Sequence, residues 1–181
     1  MGVRSVEYRA TNAVAVQAVT SEANRLFLDV VMNALSTVED FDVMGMSCDV
    51  DDAVRDLRWS RPAVTVVGAG TADDDGLDLV RRLTESVPSC QIVLIAHEPT
   101  RDLVDRAVAA GVLGVVPTHA RLPDLVEVIR GVSTGCLVLD PELVAHGGDL
   151  DLGLGGAQQD ALAQQTRQLA HGWPQQYDKP G

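Results

Sequence analysis

Short runs of β-branched and small apolar residues alternate along this chain with segments whose apolar residues return every three or four positions. The first run is AVAVQAV, residues 13–19, which stops at Thr20 and Ser21. Compact apolar runs of this length predict buried strands, whereas the three-to-four spacing predicts helices packed by one face. Asn24 offers an N-cap for a helix through Ser36, with Leu26, Phe27, Val30, Val31, Ala34 and Leu35 at helical intervals. A second strand follows over residues 41–46. A helix over 49–59 comes next, capped by Asp49 or Asp51, with Val50, Ala53, Val54 and Leu57 on its inner face. The third run, residues 63–67, stops at Gly68 and passes through a small-residue loop ending in Asp73, Asp74 and Asp75. It restarts as a helix over 75–86 that uses Leu77, Leu79, Val80 and Leu83. A fourth strand over 91–96 leads to a helix over 100–110, capped by Thr100 and closed by Gly111. A fifth strand over 113–116 leads to a helix over 122–132, whose apolar set is Leu125, Val126, Val128, Ile129 and Val132.

Strands that alternate with helices predict an α/β fold with a parallel sheet covered on both faces. Right-handed crossovers give a five-stranded, doubly wound (βα)5 sheet of flavodoxin-like order 2-1-3-4-5. In such sheets ligands bind at the carboxyl ends of the strands, so the loop after residue 67 is where chemistry would sit. Around this unit, residues 1–12 read as a flexible arm and residues 13–146 as the α/β domain. Residues 147–156 read as a Gly/Asp-rich linker, and residues 157–181 as a short helix and a disordered tail.

Composition narrows the function classes. A net charge of -12 argues against direct, unassisted nucleic-acid binding, which needs clustered Lys and Arg. Aromatics are 3% of the chain, too few for base-stacking platforms. No apolar run is long enough for a membrane span, and residues 1–12 do not pattern as a secretion signal, so a cytoplasmic protein without membrane contact is expected. Cys48, Cys90 and Cys136 lie far apart with no metal or redox spacing, and are expected to be reduced. Gly68 and Gly70 follow a strand as in a dinucleotide fingerprint, but Asp73 stands where its third glycine belongs and three successive carboxylates would repel a pyrophosphate. His97 is the titratable group nearest the strand tips; no histidine has metal spacing to another or to a cysteine, and no nucleophile–base motif is present. No cofactor, no metal and no enzymatic activity are expected.

Four segments carry a family resemblance: NRLFLDVVMNALSTVEDFDVMG, PAVTVVGAGTADDDGLDLVRRL, IVLIAHEPTRDLVDRAVAAGVLGVV and PDLVEVIRGVSTGCLVLDPELV. Together they resemble the receiver domain of NarL/LuxR-type bacterial response regulators. The resemblance implies phosphoryl transfer to an aspartate at the end of the third strand. An acidic pair after the first strand would hold Mg²⁺, with a hydroxyl residue after the fourth strand and a lysine after the fifth. Matched to this sequence, the aspartate falls on Gly68 and the acidic pair on Glu22 and Ala23, or, shifted by one, on Ser21 and Glu22. The hydroxyl residue falls on Ala96 and the lysine on Thr118, after Pro117. Asp75 reads as a helix cap; Asp73 and Asp74 with Glu22 would make at most a shallow cation site.

The resemblance therefore implies a degenerate receiver, a phosphorylation-independent pseudo-receiver that acts as a regulatory interaction module. Its partner would be a second copy of itself, as a homodimer, or another regulatory protein. The family's usual dimer faces, on the first and fifth helices or on the fourth helix, fifth strand and fifth helix, carry Leu103, Val104, Val112, Leu122 and Leu125 here. One alternative is a sensor holding a small molecule in the vacated pocket, lined by Gly70, Asp73, His97 and Pro117. Another is the receiver half of a transcription regulator whose DNA-binding domain is absent from this sequence.

Overall fold

The structure, a computed structural model, describes residues 13–21, 25–68 and 75–139. Eleven elements alternate through them: β1 (Val14–Thr20), α1 (Arg25–Leu35), β2 (Phe41–Ser47), α2 (Val50–Ser60), β3 (Val64–Gly68), α3 (Asp75–Ser86), β4 (Ile92–Ala96), α4 (Arg101–Ala109), β5 (Val112–Pro117), α5 (Leu122–Ser133) and β6 (Val138–Leu139). Strand order is β2-β1-β3-β4-β5-β6, every pair parallel. β3 and β4 are buried along their whole length, as strands covered on both faces must be. Side chains alternate across the pleat and so divide the core in two. Leu28, Met32 and Leu35 of α1 pack with Leu125, Val128 and Ile129 of α5 on one face. Ala53 and Leu57 of α2, Leu77 and Leu83 of α3, and Leu103 and Ala107 of α4 pack on the other.

Local signals set the helix boundaries. Asp49 accepts from the amides of Asp51 and Asp52 at the start of α2, and Thr100 accepts from the Leu103 amide at the start of α4. Each satisfies amides that would otherwise lack a partner at the helix start. Pro123 stands in the first turn of α5, where it costs no hydrogen bond.

Two sequence expectations are corrected. The sheet has six strands among the described residues, not five. After α5 the amides of Gly135 and Cys136 bond back to the carbonyls of Val132 and Gly131, at 2.8 and 3.2 Å. With Gly135 at φ 82°, this is a Schellman turn. The reversal lays Val138 and Leu139 beside Gly114 and Val115 of β5. Leu137, Val138 and Leu139 are buried, each contributing about 1.5–3 kcal/mol by removal from water. Gly131 makes the packing fit, since a Cβ there would lie 2.6 Å from Val138 Cγ2. Three apolar residues are too short a run to be read as a strand from periodicity.

The second correction concerns α1. Its inward residues are Leu28, Met32 and Leu35, while Leu26, Phe27 and Val30 face solvent at 77%, 38% and 61% exposure. Both helix faces are apolar, so spacing alone could not say which one meets the sheet. Nearby, Arg130 of α5 donates twice to the Asp40 carboxylate, both at 2.9 Å, and lies 5.9 Å from the Phe41 ring centroid. This holds the end of α5 to the start of β2. The expected arm, linker and tail, and the Asn24 cap, lie outside the described residues. Among the described residues no helix is long and apolar enough to cross a membrane.

Candidate functional site

Parallel strands bring their carboxyl ends to one edge, and the residues there define the site. β3 ends at Gly68, which pairs with Thr20 of β1 on one side and Ile95 of β4 on the other. The Thr20 hydroxyl is buried and donates to the Gly68 carbonyl at 3.4 Å, the long end of hydrogen bonding. A Cβ at position 68 would lie 3.1 Å from Thr20 Oγ1 and 3.5 Å from Leu28 Cδ2. The space into which a side chain at the tip of β3 would grow is thus lined by a hydroxyl and a leucine.

The adjoining tips complete this edge. Ala96 ends β4, is buried, and pairs with Pro117 of β5. Its carbonyl accepts from the Thr118 amide at 2.9 Å. The Thr118 hydroxyl lies 3.2 Å from His97 Nδ1, so the first residues beyond β4 and β5 bond to each other. The structure therefore brings together Gly68, Ala96, His97, Pro117 and Thr118. Glu22, Ala23, Gly70 and Asp73, the other expected site residues, lie outside the described residues, as do Asp74 and the side chain of Asp75.

Thr20 joins the site without a signal in the sequence pattern. It follows the apolar run directly, and the strand continues through it to stand beside Gly68. Among the described residues at the tips of β1, β3, β4 and β5, namely Thr20, Ser21, Gly68, Ala96, His97, Pro117 and Thr118, none is a carboxylate, a lysine or an arginine. Such a set can hydrogen-bond and pack. It supplies neither a carboxylate nucleophile nor a fixed cation for phosphoryl oxygens.

The expected interaction surface is corrected here. Leu103, Val104, Val112 and Leu125 are buried at 6% exposure or less, and belong to the core. Leu122, at the start of α5, stays exposed at 36%. None of the three cysteines is disulfide-bonded. Burial pushes the Cys90 thiol above its ordinary range, and its hydrogen bond to Thr65 at 3.0 Å offsets this in part.

No family model matches the chain. Similar curated proteins are transcriptional regulators. The transcriptional regulatory protein DesR of Bacillus subtilis is 24% identical over 124 residues, 68% of this chain and 61% of its own length. The DNA-binding transcriptional activator DevR/DosR of Mycobacterium tuberculosis is 26% identical over 115 residues, 64% of this chain and 53% of its own length. In sequence the chain is similar to NarL/LuxR-type response regulators. Solved structures agree on the fold. A two-component response regulator of the LuxR family from Aurantimonas superposes with a TM-score of 0.65 at 16% identity, covering 74% of this chain and 94% of the other. RcsB dimers bound to DNA superpose with a TM-score of 0.63 at 16% identity, over 90% of this chain and 79% of the other. The described sheet and helices thus have a receiver fold with one added strand, and the chain spans about half to three-fifths the length of these curated relatives.

Proposed function

We propose that this chain is a pseudo-receiver: a phosphorylation-independent interaction module of two-component signalling and transcription regulation, working in the cytoplasm by binding and not by catalysis. One observation carries the reading. The strand tip at which receivers present their acceptor aspartate is Gly68, and the room for a side chain there is bounded by Thr20 and Leu28. Ala96 and Thr118 stand where a hydroxyl and a lysine would be needed, and neither replaces them in kind. The same crowding argues against a small molecule seated at the tip of β3.

The outward face of α1 supports self-association. Leu26, Phe27 and Val30 are exposed on the helix that shares a sheet face with α5, whose first residue, Leu122, is also exposed. Apolar side chains grouped in this way mark interfaces more often than bare surface. The RcsB regulator forms dimers on DNA, and two copies of this chain would pair through α1 and the start of α5. In this reading the dimer forms without a phosphoryl signal. Light scattering of the purified chain with Mg²⁺ and beryllofluoride, a mimic of phosphoaspartate, tests it. A dimer mass unchanged by the additives is expected; a mass that rises only when both are present would overturn the reading.

A further inference from the structure

The end of α2 carries a second exposed feature, at the edge of the sheet opposite the strand tips. Trp59 is 90% exposed, the most exposed of the large apolar side chains described. It lies between Arg58 and Arg61. Arg55, Arg81 and Arg82 nearby each pair with an aspartate, and so do Arg101 and Arg106 of α4. Arg58 instead donates to the Ser86 carbonyl at 3.1 Å, and Arg61 has no ion pair among the described residues. In a chain of net charge -12, this corner holds two arginines that form no ion pair with a carboxylate among the described residues. The Ser60 hydroxyl bonds Gln17 Oε1 at 2.9 Å, and Gln17 faces Gly45 across the bulge in β2. Met44, the extra residue of that bulge, is 45% exposed, so the bulge is joined to the end of α2 through Gln17. A tryptophan with flanking arginines is the side-chain set most enriched where binding energy concentrates.

The chain itself contains a segment of complementary chemistry. No Lys or Arg occurs between Arg130 and Arg167, and residues 149–154 read Asp149, Leu150, Asp151, Leu152, Gly153 and Leu154. Leucines would suit Trp59 and Met44, and the aspartates Arg58 and Arg61. From β6 to β2 is five strand spacings, about 24 Å. The ten residues from Leu139 to Asp149 span up to about 33 Å when extended, and the next residues add several ångströms each. We propose that residues 149–154 dock in cis on the corner formed by Trp59, Arg58, Arg61 and Met44. Tethering raises their local concentration there without any partner.

The full chain carrying Trp173→Phe tests this, because Trp59 is then its only tryptophan. Acrylamide quenching of Trp59 is expected to be severalfold weaker than in the same chain with Asp149→Asn, Asp151→Asn, Leu150→Ser and Leu152→Ser. Arg61→Asn, which keeps a residue tolerant of the left-handed backbone at φ 46°, should expose Trp59 in part, and high salt should do the same. Protection that is constant across a hundredfold dilution supports docking in cis. Protection that disappears on dilution would mean that a second copy covers the corner, and would overturn the proposal. Trp59 quenched as freely as an unfolded-chain tryptophan, and unmoved by any of these changes, would overturn it as well.

Discussion

At position 68 the room for a side chain is bounded by Thr20 and Leu28. A methyl group there would start 3.1 Å from Thr20 Oγ1, closer than ordinary van der Waals contact. Gly68→Ala should therefore destabilise by about 1 kcal/mol through overpacking, as measured by denaturant unfolding. In the Thr20→Ala background the same substitution should cost nothing further, because the crowding atom is gone; two independent, additive losses would contradict the geometry. Gly68→Asp should not recover phosphoryl transfer, since Ala96 brings no hydroxyl and Thr118 no positive charge to the incoming oxygens. Incubation with acetyl phosphate and Mg²⁺ followed by intact-mass analysis checks this. The glycine was legible in the sequence as an absent carboxylate. What fills the space was not, because the partnership of Thr20 and Gly68 is a matter of strand register.

Among the elements, β6 and its turn are the departure from the expected sheet. Alanine in place of glycine within a helix ordinarily stabilises by up to about 1 kcal/mol. At Gly131 the sign should reverse, with Gly131→Ala costing about 1–3 kcal/mol, because its methyl would fall 2.6 Å from Val138. Val138→Ala should recover part of that loss, and chemical denaturation of the single and double variants reads the coupling. α5 also anchors β2 through Asp40, whose carboxyl is held below its ordinary value of 3.8, mainly by hydrogen bonds from Arg130. A lowered folded-state pKa contributes stability above the unfolded value and loses it as pH falls through the folded one. The gap in thermal stability between the wild-type chain and Asp40→Asn should thus be present at neutral pH. It should shrink once the pH drops below 3.8. Periodicity located the strands and helices well where one face was apolar, as in α3 with Leu77, Val80 and Leu83. It failed to orient α1, where Leu26, Phe27 and Val30 compete with Leu28, Met32 and Leu35, and the distinction depends on what the sheet already covers.

At the scale of the molecule, the layers leave, among the described residues, one helix with an exposed apolar face and one corner whose arginines lack ion pairs. Replacing Leu26 and Val30 by Asp alters residues 77% and 61% exposed, so the fold should persist by circular dichroism while the light-scattering mass falls to that of a monomer. A retained dimer would place the interface elsewhere. The measurement that bears most directly on function is phosphoryl acceptance by the native chain. After incubation with acetyl phosphate and Mg²⁺, intact-mass analysis should show no phosphoryl adduct and light scattering no change in mass. A Mg²⁺-dependent, hydroxylamine-labile adduct on any aspartate, Asp73, Asp74 and Asp75 included, would show that a carboxylate near Gly68 does the chemistry, and would contradict the pseudo-receiver.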